Sequence, residues 1–557
     1  MNLICDVCEN NNKEENREDY FINETDTSAP QSIVDIKISS KNFVIQRKKN
    51  LLDVYEKMKF LGQGAFGSVY KVRRKNSGIR EIIRALKEIS KEALKNNMES
   101  EEELKNEIEV LKNFDHPNIM KIYEFYEDEN NIYLITEFCG GGDIAGLNDE
   151  FGIFPEFLLK YVMFQVFLAI SFLHSNKVVH ADIKRENIAY VFADGNKDKK
   201  EIEKFFKNFF NDKEMQYELA EASGIENLSD KASDFAKELS NYQMKILDFG
   251  SARKKKKSNY EKLTGVTGTV YYCSPEVIRE KYDFECDEWA CGVMMYILLT
   301  GEPPFTGNSE EEIFSNILNS ELNLEHPKLK NVSENCKDLI KRLLEKKANN
   351  RILASDALKH KFFKTGINIG NLLIGKFKEN EVILKGMIKR KLTGQKSKKF
   401  KDVVIAYIAL NFVDQDVEKK ARKIFMEMTV GKEKHFLITK DIFVSKMEQI
   451  CKDFSRKEIV ELFHMIDENE TGNIEYEELI RALTDKEKLL NDKNLKEAFA
   501  FFDKDNNGSI SWNEIAEIVY PEGKIPKNTI KEFLNEIGQK DEDMQMDYYE
   551  FKRVLKS

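Results

Sequence analysis

The sequence predicts an α+β domain, with an N-terminal antiparallel sheet and a mainly helical remainder, followed by an all-α domain of helix–loop–helix repeats. A glycine-rich turn at residues 62–67 runs into the alternating, β-branched segment 68–72, which is typical of a β-hairpin. Residues 162–170 are almost entirely apolar, which indicates a buried helix. Polar loops that begin at residues 467, 503 and 539 recur every 36 residues, which indicates a repeated unit.

The length and composition of the chain restrict its class. Its 557 residues exceed what one hydrophobic core organises, so two or three domains are expected. With 41% hydrophobic and 33% charged residues the chain is typical of a soluble protein, and the net charge of −10 argues against nucleic-acid binding. The 8 cysteines are scattered along the chain, which favours a reducing compartment, so we expect a cytoplasmic protein.

No segment of the sequence favours a membrane location. The apolar stretch 162–170 is too short to span a bilayer and is interrupted by Gln165. Residues 1–50 are rich in Asn, Glu, Asp and Ser and are predicted to form a variable, disordered tail. Asn2 follows the initiator, so the myristoylation signal is absent. Acylation of Cys5 and Cys8 is the one route to a membrane that we weigh, and an unmodified tail is the favoured interpretation.

The segment Val179–Asn187 carries three polar groups that suit phosphoryl transfer. Asp182 is an acid that can accept the proton of a substrate hydroxyl, Lys184 follows two residues later, and Asn187 can hold a metal ion. Taken alone, the segment could also be an ordinary turn with solvated charges. The motifs on either side of it therefore decide between the two interpretations.

A glycine-rich turn and two charged residues precede this segment. The turn has the form Gly-x-Gly-x-x-Gly-x-Val, in which the glycines let the backbone approach phosphate groups. The same spacing opens dinucleotide-binding folds, but there a helix follows, whereas here a strand follows. Lys87 lies on the next predicted strand, and Glu107 lies on a predicted helix. The turn residues of interest are Leu61, Gly62, Gly64, Gly67 and Val69.

Further motifs follow in a fixed order. A short apolar strand, residues 132–135, ends at Thr136, and Glu137 and Cys139 come directly after it. Beyond the Asp182 segment come Asp248-Phe249-Gly250, Gly268-Thr269 and Ser274-Pro275-Glu276, with Arg351 as the expected partner of Glu276 and Asp287 ahead of Trp289.

In order and spacing, the motifs between about residues 55 and 363 resemble those of protein kinases of the calcium/calmodulin-regulated group. The resemblance implies a two-lobed fold, an N-lobe sheet with one helix and a mainly helical C-lobe, that transfers the γ-phosphoryl group of ATP. The implied catalytic residues are Lys87, Glu107, Asp182, Lys184, Asn187 and Asp248. Asn187 and Asp248 are the implied Mg²⁺ ligands. The implied ATP contacts are Leu61, Gly62, Gly64, Gly67, Val69, Lys87, Glu137 and Cys139.

The resemblance also implies protein substrates with Arg or Lys on the N-terminal side of the target residue, since Asp143 and Glu186 match acidic positions of related kinases. Two residues depart from the usual pattern. Ala181 replaces an Arg that normally binds a phosphorylated activation loop, and Arg185 stands where Pro is usual. Residues 193–242 form an insertion that is predicted to contain a helix packed on the kinase body, and a tolerated surface insertion is favoured over a docking role.

Two loops in the C-terminal region fit the calcium-binding pattern of EF-hands closely. Each places oxygen donors at the alternating positions, a glycine at position six and a glutamate at position twelve, which closes the site with two oxygens. The predicted Ca²⁺ ligands of the loop 467–478 are Asp467, Asn469, Thr471, Asn473 and Glu478. Those of the loop 503–514 are Asp503, Asp505, Asn507, Ser509 and Glu514.

Two further repeats fit the calcium-binding pattern of EF-hands less well. The loop 539–550 has Met544 in place of the glycine, so its donors form a weak candidate site. The first repeat has Thr429 where an acid is required and Lys440 at the closing position, so it is predicted to be structural. The candidate ligands of the weak site are Asp541, Asp543, Asp547 and Glu550.

Between the two regions, residues 364–411 combine an apolar face with a run of basic residues. Basic amphipathic helices are what calcium-sensor lobes bind. A kinase at 51–363, a basic junction at 364–411 and four EF-hands at 412–557 resemble the calcium-dependent protein kinases of plants and protists, over nearly all of residues 55–551. The resemblance implies that the junction is an intramolecular partner that inhibits the kinase until Ca²⁺ binds.

Two functions from different classes are therefore weighed. The first is a Ca²⁺-activated serine/threonine protein kinase that uses ATP, Mg²⁺ and Ca²⁺. The second is a catalytically weak kinase fold that serves as a calcium-controlled scaffold, and Ala181 and Arg185 are its only support. Because the six implied catalytic residues are all intact, the enzyme is favoured.

Overall fold

The computed structural model describes residues 43–44, 46–47, 50–63, 67–75, 81–95, 98–192, 199–255, 269–374, 382–387, 399–430, 437–452, 454–519, 535 and 545–556. Gly64, Gly268, Asp541 and Asp543 lie outside these residues. So do the predicted tail up to residue 42 and, within the junction, residues 375–381 and 388–398. The predicted fold class is confirmed, since an N-lobe sheet, a helical C-lobe and a helical C-terminal region follow one another along the chain.

The N-lobe is built on a six-stranded sheet with strand order β1-β5-β6-β4-β3-β2. Strand β1 is parallel to β5, and the other neighbours are antiparallel. Gly67 begins β3 against β4, where a Cβ atom would lie 1.7 Å from the carbonyl oxygen of Glu88, so only glycine fits. The strands are β1 Gln46–Arg47, β2 Tyr55–Gln63, β3 Gly67–Arg74, β4 Ile83–Ser90, β5 Ile122–Glu127 and β6 Asn131–Thr136. The helices of this lobe are α1 Leu51–Val54, α2 Lys91–Lys95 and α3 Met98–Asn113.

The C-lobe is organised around the helix α5, Glu156–Ser175, which is buried on all sides. It is the one helix among the described residues that is long and apolar enough to cross a membrane, and 94% of that apolar window is buried inside the protein, as in a core helix. The helix α4 Ile144–Phe151 precedes α5. The helices that follow it are α6 Lys199–Asn211, α7 Lys213–Glu221, α8 Asp230–Leu239, α9 Pro275–Ile278, α10 Glu285–Thr300, α11 Glu310–Asn319, α12 Glu334–Leu343, α13 Ala354–Ala357, α14 Lys361–Lys364 and α15 Ile369–Ile374.

Two short antiparallel ladders in the C-lobe carry the loops of interest. Strands β7 Val178–Val179 and β10 Arg253–Lys254 form one, and β8 Ile188–Phe192 and β9 Tyr242–Ile246 form the other. Below them, Glu276 pairs with the buried Arg351, whose Nη2 lies 3.0 Å from Oε2 of Glu276. The ion pair expected between these two residues is therefore present.

The described part of the insertion, residues 199–242, contains the helices α6 to α8, so the predicted helix is present together with two more. Their aromatic side chains continue the C-lobe core: Phe209 stacks on Phe235 with ring centroids 4.4 Å apart, and Phe206 meets Tyr190 edge to face at 5.4 Å. The rings of Phe206 and Phe209 are almost completely buried. The insertion is thus part of the packed body of the lobe.

The C-terminal region forms two lobes, each built from helix–loop–helix units joined by a short ladder. Strand β11 Ile438–Thr439 pairs with β12 Asn473–Ile474, and β13 Ser509–Ser511 pairs with β14 Gln545–Asp547. The helices are α16 Lys399–Phe412, α17 Gln415–Thr429, α18 Lys440–Ile450, α19 Arg456–Ile466, α20 Tyr476–Leu483, α21 Lys486–Leu489, α22 Asp492–Phe502, α23 Trp512–Val519 and α24 Tyr548–Lys556. Residues 382–387 are also helical.

Polar contacts join the C-terminal region to both lobes of the kinase fold. The guanidinium of Arg74 in β3 lies 2.8 Å from the carboxylate of Glu497 in α22. On the C-lobe side, Nη2 of Arg422 in α17 donates to the carbonyl oxygen of Ser240, at the end of the insertion, over 3.0 Å. Both arginines are buried, so these contacts are part of an interface that excludes water.

We predict that the insertion contributes to the stability of the C-lobe. Phe209→Ala removes a fully buried ring, which costs about 3–5 kcal/mol in comparable cores. The midpoint of thermal unfolding of the kinase domain, measured by calorimetry, is therefore expected to fall by several degrees. Tyr217→Ala is the matched control in the same insertion, because Tyr217 is 70% exposed and its loss is expected to cost about 0.5 kcal/mol or less. Equal midpoints for both variants would contradict the prediction.

Candidate functional site

The loop after β7 brings three of the predicted catalytic residues together. The Nζ atom of Lys184 lies 2.7 Å from Oδ2 of Asp182, and Nδ2 of Asn187 donates to the same oxygen over 3.0 Å. Lys184 also donates to Oγ1 of Thr269 over 3.2 Å. The carboxylate of Asp182 is therefore oriented by a cation and an amide on one side of a shallow site.

Asp287, fully buried near the start of α10, holds the backbone of this loop. Its carboxylate accepts hydrogen bonds from the backbone N–H groups of His180, over 2.9 Å, and Ala181, over 2.8 Å. It also lies 2.9 Å from Nε2 of His174. Burial acts to raise the pKa of Asp287, but the hydrogen bond and charge of His174 outweigh it and hold that pKa below its usual range. The carboxylate thus stays ionised and keeps accepting both backbone bonds.

Lys87 and Glu107, two of the implied catalytic residues, form an ion pair. The Nζ atom of Lys87 lies 2.6 Å from Oε2 of Glu107, which is buried on α3. In the sheet, Lys87 is directly opposite Val69 of β3. Val69 in turn is opposite Gly62 of β2, beside Leu61. The structure therefore brings the described residues of the glycine-rich turn to the same part of the sheet as the lysine.

Asp248 follows β9 and is tied to the Asp182 loop through the backbone. The N–H of Leu247 donates to the carbonyl oxygen of Asn187 over 2.9 Å, so the Asp248 segment and Asn187 run side by side. Asp248 has a left-handed backbone, with φ of 59°. An amide oxygen and a carboxylate on adjacent segments are the hard donors that Mg²⁺ prefers, so these two residues fit the predicted metal.

The predicted adenine contacts lie at the end of β6. The buried Thr136 ends the strand, and the backbone N–H of Glu137 donates to the carbonyl oxygen of Lys121 over 2.8 Å. The Glu137 carboxylate pairs with the buried Lys245 over 2.8 Å. These bonds fix the segment that leads to Cys139 and joins the two lobes.

The loop 467–478 is folded around its acidic side chains. Asp467 accepts hydrogen bonds from the backbone N–H groups of Thr471, over 2.9 Å, and Gly472, over 3.0 Å. Oε1 of the buried Glu478 accepts from the N–H of Asn469 over 3.2 Å. Burial raises the pKa of Glu478 to about 8, so protons compete with Ca²⁺ for this carboxylate near neutral pH. Asn473 begins β12, and its Nδ2 atom donates to the carbonyl oxygen of Thr471 over 3.4 Å.

The loop 503–514 has the same arrangement and a more acidic donor set. One carboxylate oxygen from each of Asp503, Asp505 and Glu514 lies within 4.8 Å of the others. Asn507 and Ser509, the other predicted ligands, hydrogen-bond each other over 2.7 Å. Three carboxylates converge here on one point, which is the donor chemistry that Ca²⁺ requires.

The two weaker repeats differ from these loops. Asp547 and Glu550 hydrogen-bond each other at the start of α24, the Glu550 N–H donating to Oδ1 of Asp547 over 2.8 Å. In the first repeat, Oγ1 of Thr429 donates to the carbonyl oxygen of Phe425 over 2.8 Å, and Nζ of Lys440 lies 3.2 Å from Nε2 of His464. Thr429 and Lys440, which were predicted not to bind Ca²⁺, thus make contacts with other residues of the chain.

Sequence analysis missed Arg481, a buried cation beside the loop 467–478. Its Nη2 atom lies 3.7 Å from Oε1 of Glu478 and 3.4 Å from Oε2 of Glu468. The spacing of three residues from Glu478 on a predicted helix was the available signal, since residues i and i+3 are neighbours on a helix surface. A fixed positive charge next to the closing glutamate opposes the entry of a second cation.

Comparisons with known proteins agree with this arrangement. A model of the protein kinase domain matches residues 55–205 and 227–363, and a model of the EF-hand domain pair matches residues 456–520 and 492–556. Calcium-dependent protein kinase 3 of Plasmodium berghei is 31% identical over 534 residues, which cover 93% of this chain and 83% of that protein. Calcium-dependent protein kinase 4 of Plasmodium falciparum is 30% identical over 513 residues, which cover 90% and 86%.

We predict that Arg481→Gln raises the Ca²⁺ affinity of the loop 467–478. Removal of one neighbouring positive charge is expected to lower the dissociation constant about fivefold, the equivalent of roughly 1 kcal/mol for a single charge pair near a surface. Isothermal titration calorimetry measures the dissociation constant for Ca²⁺, and the loop 503–514 serves as an internal reference. The control is Arg456→Gln, in the same lobe, whose side chain is 68% exposed. An unchanged or weaker affinity in the Arg481 variant would refute the electrostatic argument.

Proposed function

This chain belongs to the calcium-dependent protein kinase family, and from that premise we propose that it is a serine/threonine kinase switched on by Ca²⁺ bound to its own C-terminal domain. The observation that carries the proposal is the joint placement of Asp182, Lys184 and Asn187, with the Lys87–Glu107 pair formed in the opposite lobe. Both halves of a phosphoryl-transfer site are thus in position in one conformation.

The chain's own residues divide the catalytic work. Asp182 would orient the substrate hydroxyl and accept its proton, and Lys184, 2.7 Å away, would offset the negative charge that develops nearby. Lys87, held by Glu107, would position the phosphates of ATP. Asp248 and Asn187 would hold Mg²⁺. When bound, the metal neutralises phosphate charge and ATP supplies the phosphoryl group.

The proposed switch rests on how the calcium lobes hold the junction. The helical residues 382–387 place Leu384 and Met387 in the core of the lobe that contains the loop 467–478. The helix α16, Lys399–Phe412, packs Phe400 and Val404 into the core of the lobe that contains the loop 503–514. We propose that these segments inhibit the kinase when the lobes lack Ca²⁺, and that Ca²⁺ favours their capture by the lobes.

Contacts between the calcium lobes and the kinase offer a route for this control. Besides the Arg74–Glu497 pair, Nη2 of Arg84 in β4 donates to the carbonyl oxygen of Asn411, at the end of α16, over 3.3 Å. Strand β4 also carries Lys87. A movement of α16 relative to the sheet would therefore act on the strand that carries the ATP-binding lysine.

Two finer features are proposed on weaker support. Substrates are expected to carry Arg or Lys on the N-terminal side of the target residue, because Asp143 and Glu186 match acidic positions of related kinases. Glu186 lies in the Asp182 loop, and Asp143 forms a β-bridge with Ala189, just beyond it. A reducing, cytoplasmic location is proposed, because the 8 cysteines are scattered along the sequence. The overall proposal is tested by the transfer of ³²P from ATP to a basic peptide, with Ca²⁺ and then with a chelator. Equal activity with Ca²⁺ and with the chelator would contradict the proposed activation by Ca²⁺.

We predict that catalysis depends on Asp182 and Asp248. Asp182→Asn removes the proton acceptor and Asp248→Ala removes a metal ligand, and each is expected to lower kcat at least about 100-fold. Steady-state rates with saturating Ca²⁺ give the result. The control is Asp230→Asn, an exposed acid at the start of α8, which is expected to keep the wild-type rate. Wild-type turnover in the first two variants would refute the roles assigned to Asp182 and Asp248.

We predict that both well-formed calcium loops set the activation curve. Glu478→Gln and Glu514→Gln each remove the closing carboxylate, so each single variant is expected to shift the midpoint of activation to higher free Ca²⁺ by about tenfold or more. Kinase activity against buffered free Ca²⁺ measures the midpoint. Glu461→Gln, an exposed charge on α19, is the control. If both variants keep the wild-type midpoint and amplitude, a separate calcium sensor must act on the kinase.

A further inference from the structure

Arg185, the residue that replaces the usual proline of the Asp182 loop, makes a set of contacts with its own chain. Its Nη1 atom donates to Oδ1 of Asn148 over 2.5 Å and lies 3.4 Å from Oδ1 of Asp149, at the end of α4. Its Nη2 atom lies 3.7 Å from Oε1 of Glu186. The Arg185 side chain is only 19% exposed, so it lies against the protein surface and does not extend into solvent.

These partners include one acid, Glu186, that is expected to bind a basic substrate residue. Of the two acids expected to bind such a residue, Asp143 already caps α4, where its Oδ1 accepts the N–H of Gly146 over 2.7 Å. The other, Glu186, is the acid beside Arg185. Because a guanidinium is charged at every physiological pH, Arg185 permanently offsets part of the negative potential at this surface.

We infer that Arg185 is a specificity-determining residue that acts as a built-in cation at the substrate surface. It occupies Asn148, Asp149 and Glu186, so that an Arg or Lys on the N-terminal side of the target residue gains little from them. The inference rests on the proposed kinase function and deepens it. The chain should accept basic peptides with only a weak preference over neutral ones.

The physical reason is a competition between two cations for the same oxygens. A substrate guanidinium must either share the carboxylates with Arg185, at the cost of repulsion between like charges, or displace it. Truncation of Arg185 leaves Glu186 and Asp149, which are 48% and 72% exposed, open to the substrate. Selection for a basic residue should therefore increase, and it should do so through KM, because the contact is made in the bound state before reaction.

The experiment compares full-length wild type, Arg185→Pro, Arg185→Ala and Arg185→Lys, all with saturating Ca²⁺. Each phosphorylates two peptides that differ only by Arg or Ala on the N-terminal side of the target serine. The ratio of kcat/KM for the Arg peptide to that for the Ala peptide is expected to rise about twofold to fivefold in the Pro and Ala variants, the upper part of the range for one partly exposed charge pair. It should stay near wild type in the Lys variant, which keeps the charge. Arg342→Ala, a 57% exposed arginine on α12, controls for net charge.

Two further readouts separate specificity from a structural role. In Arg185→Ala combined with Glu186→Gln, the increase in the ratio should largely vanish, and added salt should reduce it in the single variants. An equal loss of kcat/KM for both peptides, with no change in the ratio, would show that Arg185 only braces α4 and would overturn the inference. Failure of the wild type to phosphorylate either peptide would instead refute the proposed function, and the inference with it.

Discussion

The catalytic loop depends on one buried carboxylate. Asp287 accepts the N–H groups of His180 and Ala181, the two residues that precede Asp182. Ala181 has φ of 64°, a conformation that non-glycine residues seldom adopt without support from their surroundings. The bonds from Asp287 provide that support, and His174 keeps the carboxylate charged. The direction of Asp182, and with it the spacing to Lys184 and Asn187, follows from this anchor.

A second buried charge connects the catalytic and calcium regions. Arg74 lies 3.4 Å from Glu124 in its own sheet and 2.8 Å from Glu497 of the calcium lobe. Loss of one member of a buried ion pair costs about 3–5 kcal/mol, because the remaining charge stays out of water. The ion pairs of Arg74 therefore restrict the positions that the calcium lobe can take against the N-lobe sheet. The control by Ca²⁺ that we propose would act by changing this position of the lobe.

The sequence was sufficient to predict those site residues that lie in short motifs. The donors of the loop 503–514 lie within twelve residues, and the resemblance in motifs was enough to identify Lys87 and Glu107, which form an ion pair. It was insufficient where the contact joins distant parts of the chain, because no local periodicity records that Arg74 meets Glu497, 423 residues away. The insertion shows the same limit, since its phenylalanines indicated one helix, whereas burial against the C-lobe supports three.

Arg185 and Arg481 share a physical role at two different sites. Each lies against the protein beside carboxylates that a ligand would use, a basic substrate side chain in one case and Ca²⁺ in the other. An internal cation at such a site weakens binding without removing any ligand, because the oxygens stay in place while their potential is reduced. Affinity can thus be set by a single residue that does not itself bind the ligand. Motif matching alone therefore identifies which sites exist, and the neighbouring charges determine how strongly they act.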